Sequence, residues 1–265
     1  MWQAVIVVGG LGILFGITLT FFHIKFHVEE NPIISKIQEL LPGANCGACG
    51  YAGCSAFAEA VASGKEEPEK CAGLSEENLK KICALLGIEE KEKRKMVARV
   101  FCCGKNVRRV FNSPVKDCRQ LKALYNTNLE CEYGCIGLGS CEKACPFGAI
   151  SMEDGIPKID EEKCTGCGKC VEVCPQNIIH LVPYENKVYV ACSSHDKGAK
   201  VIKICENGCI GCGKCVKVCE NGAIKLEENL AVVDFEKCDG CGKCIEACPR
   251  KVIFPVRKEV AVLNK

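Results

Sequence analysis

Residues 2–22 (WQAVIVVGGLGILFGITLTFF) carry no charged side chain, and the run from Ala4 to Phe22 is long enough to cross the ~30 Å hydrocarbon layer of a bilayer as a helix. This pattern predicts a transmembrane helix. A cleaved signal peptide is the rival reading, but no Lys or Arg precedes the apolar run, the run exceeds the usual hydrophobic region, and no small-x-small cleavage site follows. Gly12-x3-Gly16, with Gly9 and Gly10 one turn earlier, permits close packing of another membrane helix, although glycine is also simply tolerated in such helices. Lys25 follows the run, flanked by His23 and His27, so the positive-inside bias places the C-terminal bulk in the cytoplasm.

Beyond this segment the pattern turns to short amphipathic pieces. Asn31 caps a helix with Pro32 at its first position, Ile33, Ile34, Ile37, Leu40 and Leu41 as its apolar stripe, and Pro42-Gly43 as its end. Ala52 to Ser63 is small and helix-prone up to Gly64. Ser75 caps a further helix, with Glu76 and Glu77 in its first turn, Leu79, Ile82, Cys83 and Leu86 on one face, and Gly87 closing it. Cys83, alone on that face, reads as a small core residue. Glu89 to Arg99 is a charge-dense run of mixed sign and reads as a solvated linker between domains. Val100-x-Cys102 and Val190-x-Cys192 are strand-like, as are the segments starting at Gly148-Ala149-Ile150 and Gly222-Ala223-Ile224.

Composition changes this picture in one respect. Of 265 residues, 26 are cysteine and only 6% are aromatic, so outside the N-terminus there is too little large apolar surface for one big core. Such a thiol content means either disulfides or metal. The cysteines fall into repeated metal-type runs, which favours a reducing compartment and inorganic centres that hold the fold together. The formal net charge is +2 with thiols counted as neutral. A four-thiolate cube carries about −2, so five of them bring the molecule to about −8, and the nominal basic balance gives no argument for nucleic acid.

The runs themselves are specific. Cys209-x2-Cys212-x2-Cys215-x3-Cys219 precedes Cys238-x2-Cys241-x2-Cys244-x3-Cys248-Pro249, the pattern of a two-cluster bacterial ferredoxin. In that pattern the fourth Cys of each run crosses over. Cys209, Cys212, Cys215 and Cys248 are thus expected to hold one [4Fe–4S] cube, and Cys238, Cys241, Cys244 and Cys219 its neighbour. C-x2-C pairs also build zinc ribbons, but a tetrahedral site needs only two pairs and accommodates the three-plus-one run poorly. Near the N-terminus, Cys46-x2-Cys49-x4-Cys54-x16-Cys71 lies among Gly43, Gly47, Gly50 and Gly53 and reads as a separate one-cube domain, again with zinc as the alternative.

Cys131, 135, 141, 145, 164, 167, 170 and 174 each find a cysteine 74 positions on, so two ferredoxin-like modules stand in tandem. Cys164, Cys167, Cys170 and Cys145 complete one cube of the first module. Its other cube has Cys135, Cys141 and Cys174 but Leu138 where the second module has Cys212. The missing corner is taken by Cys131, left vacant, or supplied from Cys102, Cys103 or Cys118. Proximity favours Cys131, with the caution that its counterpart Cys205 sits beside a module that already has eight ligands. The expected total is five [4Fe–4S] clusters, with a sixth left open from Cys102 or Cys103 with Cys118, Cys131 and Cys135. The fold class is therefore α+β: an N-terminal transmembrane helix (1–28), a small helical [4Fe–4S] domain (29–88), a linker and strand-like lead-in (89–128), and two tandem bacterial-type 2[4Fe–4S] ferredoxin-like modules (129–186 and 187–265).

This order of features, an apolar anchor, then LPGANCGACGYAGC with Cys71, then paired ferredoxin runs, resembles the B-subunit family of the Rnf electron-transport complex in its longer form. The resemblance covers essentially the whole chain, with Leu138 as the departure. It implies an electron-carrying subunit of a membrane-bound, ion-pumping ferredoxin:NAD oxidoreductase. Its partners would be reduced ferredoxin and integral and flavin-carrying subunits, and its place the cytoplasmic face of a prokaryotic inner membrane, held by a single pass. The residues themselves reach only as far as electron transfer. No strand-linked G-x-G-x-x-G, Walker A run or flavin-attachment sequence occurs, so nicotinamide and flavin would sit on partners. A polyferredoxin subunit of another dehydrogenase or hydrogenase is the second reading, and a zinc scaffold the third.

Overall fold

The computed structural model describes residues 2–25, 31–90, 94–104, 106–185 and 188–255, without the side chains of Ala4, Val5 and His23. His27, the middle of the charge-dense run at 91–93, and the tail at 256–265 lie outside the described residues. Helix α1 (Trp2–Lys25) presents its described apolar side chains outward, Ile6, Leu14, Phe15 and Ile17 among them. Its unbroken run of described side chains is 6–22, and among the described residues no helix is long and apolar enough to cross a membrane.

A small helical unit follows. Helix α2 (Pro32–Leu40) is capped by Asn31, whose side chain accepts from the Ile33 N–H. α3 (Cys54–Ala62) and a 3-10 turn at Pro68–Lys70 lead to α4 (Glu76–Leu86), capped by Ser75 and closed by Gly87 at φ 66°. Its core gathers Ile37, Leu41, Phe57, Val61, Leu74, Leu79 and Ile82 around Cys49, Cys71 and Cys83. Ile33, placed by its spacing on the apolar stripe, is instead exposed, because the core meets α2 at Ile37 and just beyond its end at Leu41.

Strand β1 (Met96–Val100) corrects the reading of Glu89 to Arg99 as a solvated linker. Val97 and Ala98 are buried, and so is Arg99, which reaches Glu161 at 2.5 Å and lies 5.6 Å from the Tyr189 ring centre. A paired charge inside a strand is indistinguishable in sequence from a charge in a linker. After β1 come α5 (Cys118–Tyr125), α6 (Ser140–Lys143), β2 (Ile150–Glu153), β3 (Ile156–Ile159), α7 (Lys169–Val173) and β4 (Ile179–Pro183). The last part comprises β5 (Val188–Val190), α8 (Gly198–Ile204), α9 (Lys214–Lys217), β6 (Ile224–Glu227), β7 (Leu230–Val233), α10 (Lys243–Ala247) and β8 (Ile253–Pro255).

Among the described residues the four sheets are antiparallel pairs, β1 with β4, β2 with β3, β5 with β8 and β6 with β7. Each module thus combines an outer pair with a hairpin. The hairpin turns at Asp154-Gly155 and Glu228-Asn229 have positive φ at both central residues, as the twist of a two-residue loop requires. Pairing of Val97 with Val182 makes β1 part of the first module although it precedes residue 129. The 74-residue period holds from α6 to β4 against α9 to β8, but Val100 and Val190 are 90 positions apart, and the extra length carries α5. The modules meet at Phe101, whose ring stands edge-on to His180 and Tyr189 at 5.1 and 5.8 Å, and at Phe235, which packs against both cores.

Ile82 is fully buried, so Ile82→Ala is expected to cost about 2–5 kcal/mol in the N-terminal unit. Gly87→Ala meets open space but keeps a left-handed backbone, for about 1–2 kcal/mol. Chemical unfolding of the anaerobic, cluster-loaded chain followed by circular dichroism should rank the two in that order.

Candidate iron–sulfur sites

In the N-terminal unit Cys49, Cys54 and Cys71 pack into the core, and Cys46 is half-buried. The loop that sets them turns through positive φ at Asn45, Gly47 and Gly50. The Asn45 side chain accepts from the Cys54 N–H at 2.8 Å, pinning the start of α3 to the loop. Cys46 lies on the side facing the first module, within electrostatic reach of Cys167 and Lys169. The Phe147 ring lies against Gly73, where an added Cβ would come within 3.2 Å of it.

Cys145, Cys164, Cys167 and Cys170 line one cavity of about 320 Å³ in the first module. The Ala98 N–H donates to Cys164 Sγ and the Ala149 N–H to Cys145 Sγ, each at 3.4 Å. In the second module Cys209, Cys212, Cys215 and Cys248 line a cavity of about 350 Å³. Cys238 lies within electrostatic reach of Cys219 and Cys241, and Cys244 within reach of Cys238 and Cys241, while the Ala223 N–H donates to Cys219 Sγ at 3.3 Å. Each crossover cysteine therefore lies with the run expected from its spacing.

The incomplete site is placed differently from the proximity argument. Cys118, Cys135, Cys141 and Cys174 line a cavity of about 360 Å³, and Cys131 is not among its walls. Cys131 instead lines a separate cavity with Cys102, Cys103, Cys192 and Cys205, so the set Cys118, Cys131 and Cys135 is split between two places. The reason is helix α5. Asp117 caps it by accepting from the Arg119 and Gln120 N–H groups, and Ser140 Oγ accepts from the Cys118 N–H at 2.8 Å while donating to Asp117 at 2.9 Å. Those N–H groups and the Ser140 hydroxyl hold the Asp117 carboxyl below its ordinary range. Leu121 is fully buried, Arg119 donates to the Glu172 and Val173 carbonyls, and Lys122 bonds Gln176. The helix is clamped to α7 with its first residue over the cavity. A sequence signal existed in the Asp-Cys start of an amphipathic turn, inside a stretch read as linker.

The donor chemistry of these cavities fits iron–sulfur cubes. Among the described residues no three His, Cys, Asp or Glu side chains converge as the shell of one ion. The thiols surround a cavity with backbone N–H groups aimed at the sulfurs, as a cube's thiolates and sulfides require. Burial pushes the Cys170 and Cys244 thiols up to about 12 and Cys141 and Cys215 up to about 11. Without positive charge in the cavity they keep their protons, and iron is what displaces them. Cys212 and Cys241 are exposed, so these two sites open to the surface.

Comparison with known families agrees with this layout. Residues 41–72 match a model described as a putative Fe-S cluster, and residues 130–178 and 208–252 match a 4Fe-4S dicluster domain. A second dicluster model matches residues 163–224, across the module junction. The chain is 43% identical over 255 residues to the B-subunit of the ion-translocating oxidoreductase complex of Methanosarcina acetivorans, covering 95% of this chain and 97% of that protein. It is 43% identical over 229 residues to the B-subunit of the proton-translocating ferredoxin:NAD(+) oxidoreductase complex of Clostridium ljungdahlii, covering 84% and 81%. Against the B-subunit of the Na(+)-translocating ferredoxin:NAD(+) oxidoreductase complex of Acetobacterium woodii it is 39% identical over 235 residues, covering 87% and 71%.

Cys118→Ser is expected to release at least about one iron per chain, because one cube corner loses its thiolate. Asp117→Ala removes the cap and the acceptor of the Ser140 hydroxyl but leaves buried Leu121 and the Lys122–Gln176 bond to hold α5, so it should keep the iron while costing about 0.5–2 kcal/mol. Iron analysis and low-temperature EPR check both, and wild-type iron and spectrum in Cys118→Ser would show that the corner is held elsewhere.

Proposed function

The chain belongs to the B-subunit family of ion-translocating oxidoreductase complexes, and from that membership we propose that it relays single electrons from reduced ferredoxin to membrane-bound partner subunits. Such a protein works as one subunit among several. Electron transfer through 4Fe-4S dicluster domains is the chemistry its own residues supply. The observation that carries the reading is the succession of four-thiol sites from the exposed Cys241 at one end to Cys46 at the other, with Cys46 within electrostatic reach of Cys167.

When bound, each cube supplies a one-electron centre, and the protein's part is position and tuning. The N–H donors at Cys145, Cys164 and Cys219 stabilise added negative charge, while burial among aliphatic side chains opposes it. Electrons enter where thiols reach the surface, at the second module, and leave through the N-terminal unit, which the chain places next to α1. Flavin and nicotinamide belong to partner subunits, since no motif for either occurs in this sequence.

In this proposal α1 is the membrane anchor. The uncharged sequence run from Ala4 to Phe22 matches the ~30 Å hydrocarbon layer in length, the described side chains at 6–22 are only part of it, and those side chains point outward. Lys25 at its C-terminal end favours a cytoplasmic location for the iron–sulfur part. A multi-subunit complex in the membrane gives that helix a place.

Cys54→Ser separates the two ends of the route. With reduced ferredoxin as donor, the clusters of the two modules should still be reduced, while reduction of a membrane acceptor is lost. Unimpaired membrane transfer in this variant would remove the N-terminal unit from the path.

A further inference from the structure

Five thiols remain outside the sites described so far in the ferredoxin modules, and they share one cavity of about 380 Å³ at the junction of those modules. Four of the five form two repeat-related pairs. Cys102 stands two positions after the end of β1, and Cys192 two positions after the end of β5. Cys131 and Cys205 each stand four positions before the first cysteine of their module's run, Cys135 and Cys209. The hydrogen bonds repeat as well, for the Cys135 N–H donates to Cys102 Sγ and the Cys209 N–H to Cys192 Sγ, both at 3.4 Å. The Ser194 N–H adds a second donor to Cys192 at 3.5 Å.

The fifth thiol behaves differently. Cys103 donates its S–H to the Asn207 carbonyl at 3.7 Å, and the corresponding position after β5 is Ser193, so it has no repeat-related partner. Close backbone approach completes the cradle. An added Cβ would come within 3.3 Å of Cys205 Sγ at Gly104 and 3.4 Å at Gly208. The junction is held shut by the Ser193 hydroxyl donating to the Phe101 carbonyl at 2.9 Å, by Asn106 donating to Glu206 at 2.7 Å, and by the Arg250 guanidinium donating to the Cys205 carbonyl.

We propose that Cys102, Cys131, Cys192 and Cys205 hold a further [4Fe–4S] cluster, half supplied by each module, that carries electrons across the junction. The size of the cavity matches that of the other three, and its N–H···S donors repeat those at Cys145, Cys164 and Cys219. Its neighbours lie on both flanks. Cys102 is within electrostatic reach of Cys174, a wall of the first module's inner site, and Cys192 within reach of Cys209, a wall of the second module's. One electron arrives from the reduced cube at Cys209, Cys212, Cys215 and Cys248, lowers this cluster's core charge from 2+ to 1+, and leaves for the cube at Cys118, Cys135, Cys141 and Cys174. No bond or proton changes hands. This inference rests on the electron-relay reading and adds the link between the two halves of the route.

The test uses the full chain in detergent, prepared and reconstituted anaerobically. Six cubes require about 24 iron and 24 acid-labile sulfide per chain, and reductive titration should take up about six electrons. The double variant Cys131→Ser/Cys205→Ser should lose about four of those irons and one electron equivalent, while Cys103→Ser loses none. The signals of the remaining cubes report whether the double variant has folded, and the wild-type count decides the matter if it has not. A wild-type chain that saturates at about 20 iron and five electrons, or that fills the junction with zinc, would overturn the proposal and leave the relay reading standing. A chain without iron would remove both.

Discussion

The physical constraint behind this structure is that thiols, rather than large aliphatic or aromatic side chains, stand at the centres of its cores. Cys141, Cys164 and Cys170 are buried with Val97, Ile150 and Ile179, and Cys209, Cys215 and Cys244 with Val190, Ile224 and Ile253. Two-stranded sheets and helices of four or five residues are marginal alone, because neither buries enough apolar surface to offset the entropy of ordering the chain. Iron–thiolate bonds supply the missing cohesion and the function together.

From this constraint follows what could be read in advance. A cube imposes fixed spacing on its ligands, so the runs at Cys46, Cys164, Cys209 and Cys238, and the 74-residue period, were visible as sequence. Helix caps at Asn31 and Ser75 were visible too, since one side chain satisfies one backbone N–H locally. Cys118 was hidden because no spacing rule links it to Cys135. Only the tertiary clamp through Asp117, Ser140, Leu121 and Gln176 brings it there. Arg99 was hidden for a related reason, since its partner Glu161 lies far along the chain, and a charge run says nothing about which of its members will be paired. The thiols at the junction, Cys102 and Cys131 with Cys192 and Cys205, were legible as leftovers. Their common cavity depends on how the two modules pack.

Replacement of the loop position Leu138 by a thiol from α5 also alters the surroundings of that site. In the second module the equivalent corner is Cys212, which is exposed, so that cavity keeps a side open to solvent. In the first module the corresponding corner is Cys118 on α5, which is half-buried. Two sites built from the same repeat therefore differ in how far this one corner is exposed to water. A reduced cube carries one more negative charge than an oxidised one, and water stabilises that charge better than an aliphatic wall does. Four cysteine thiols line each of the two cavities, so the difference between them comes from what lies around the sulfurs. Along a relay of near-identical cubes, burial and N–H donors are the means by which one protein gives each cube its own potential.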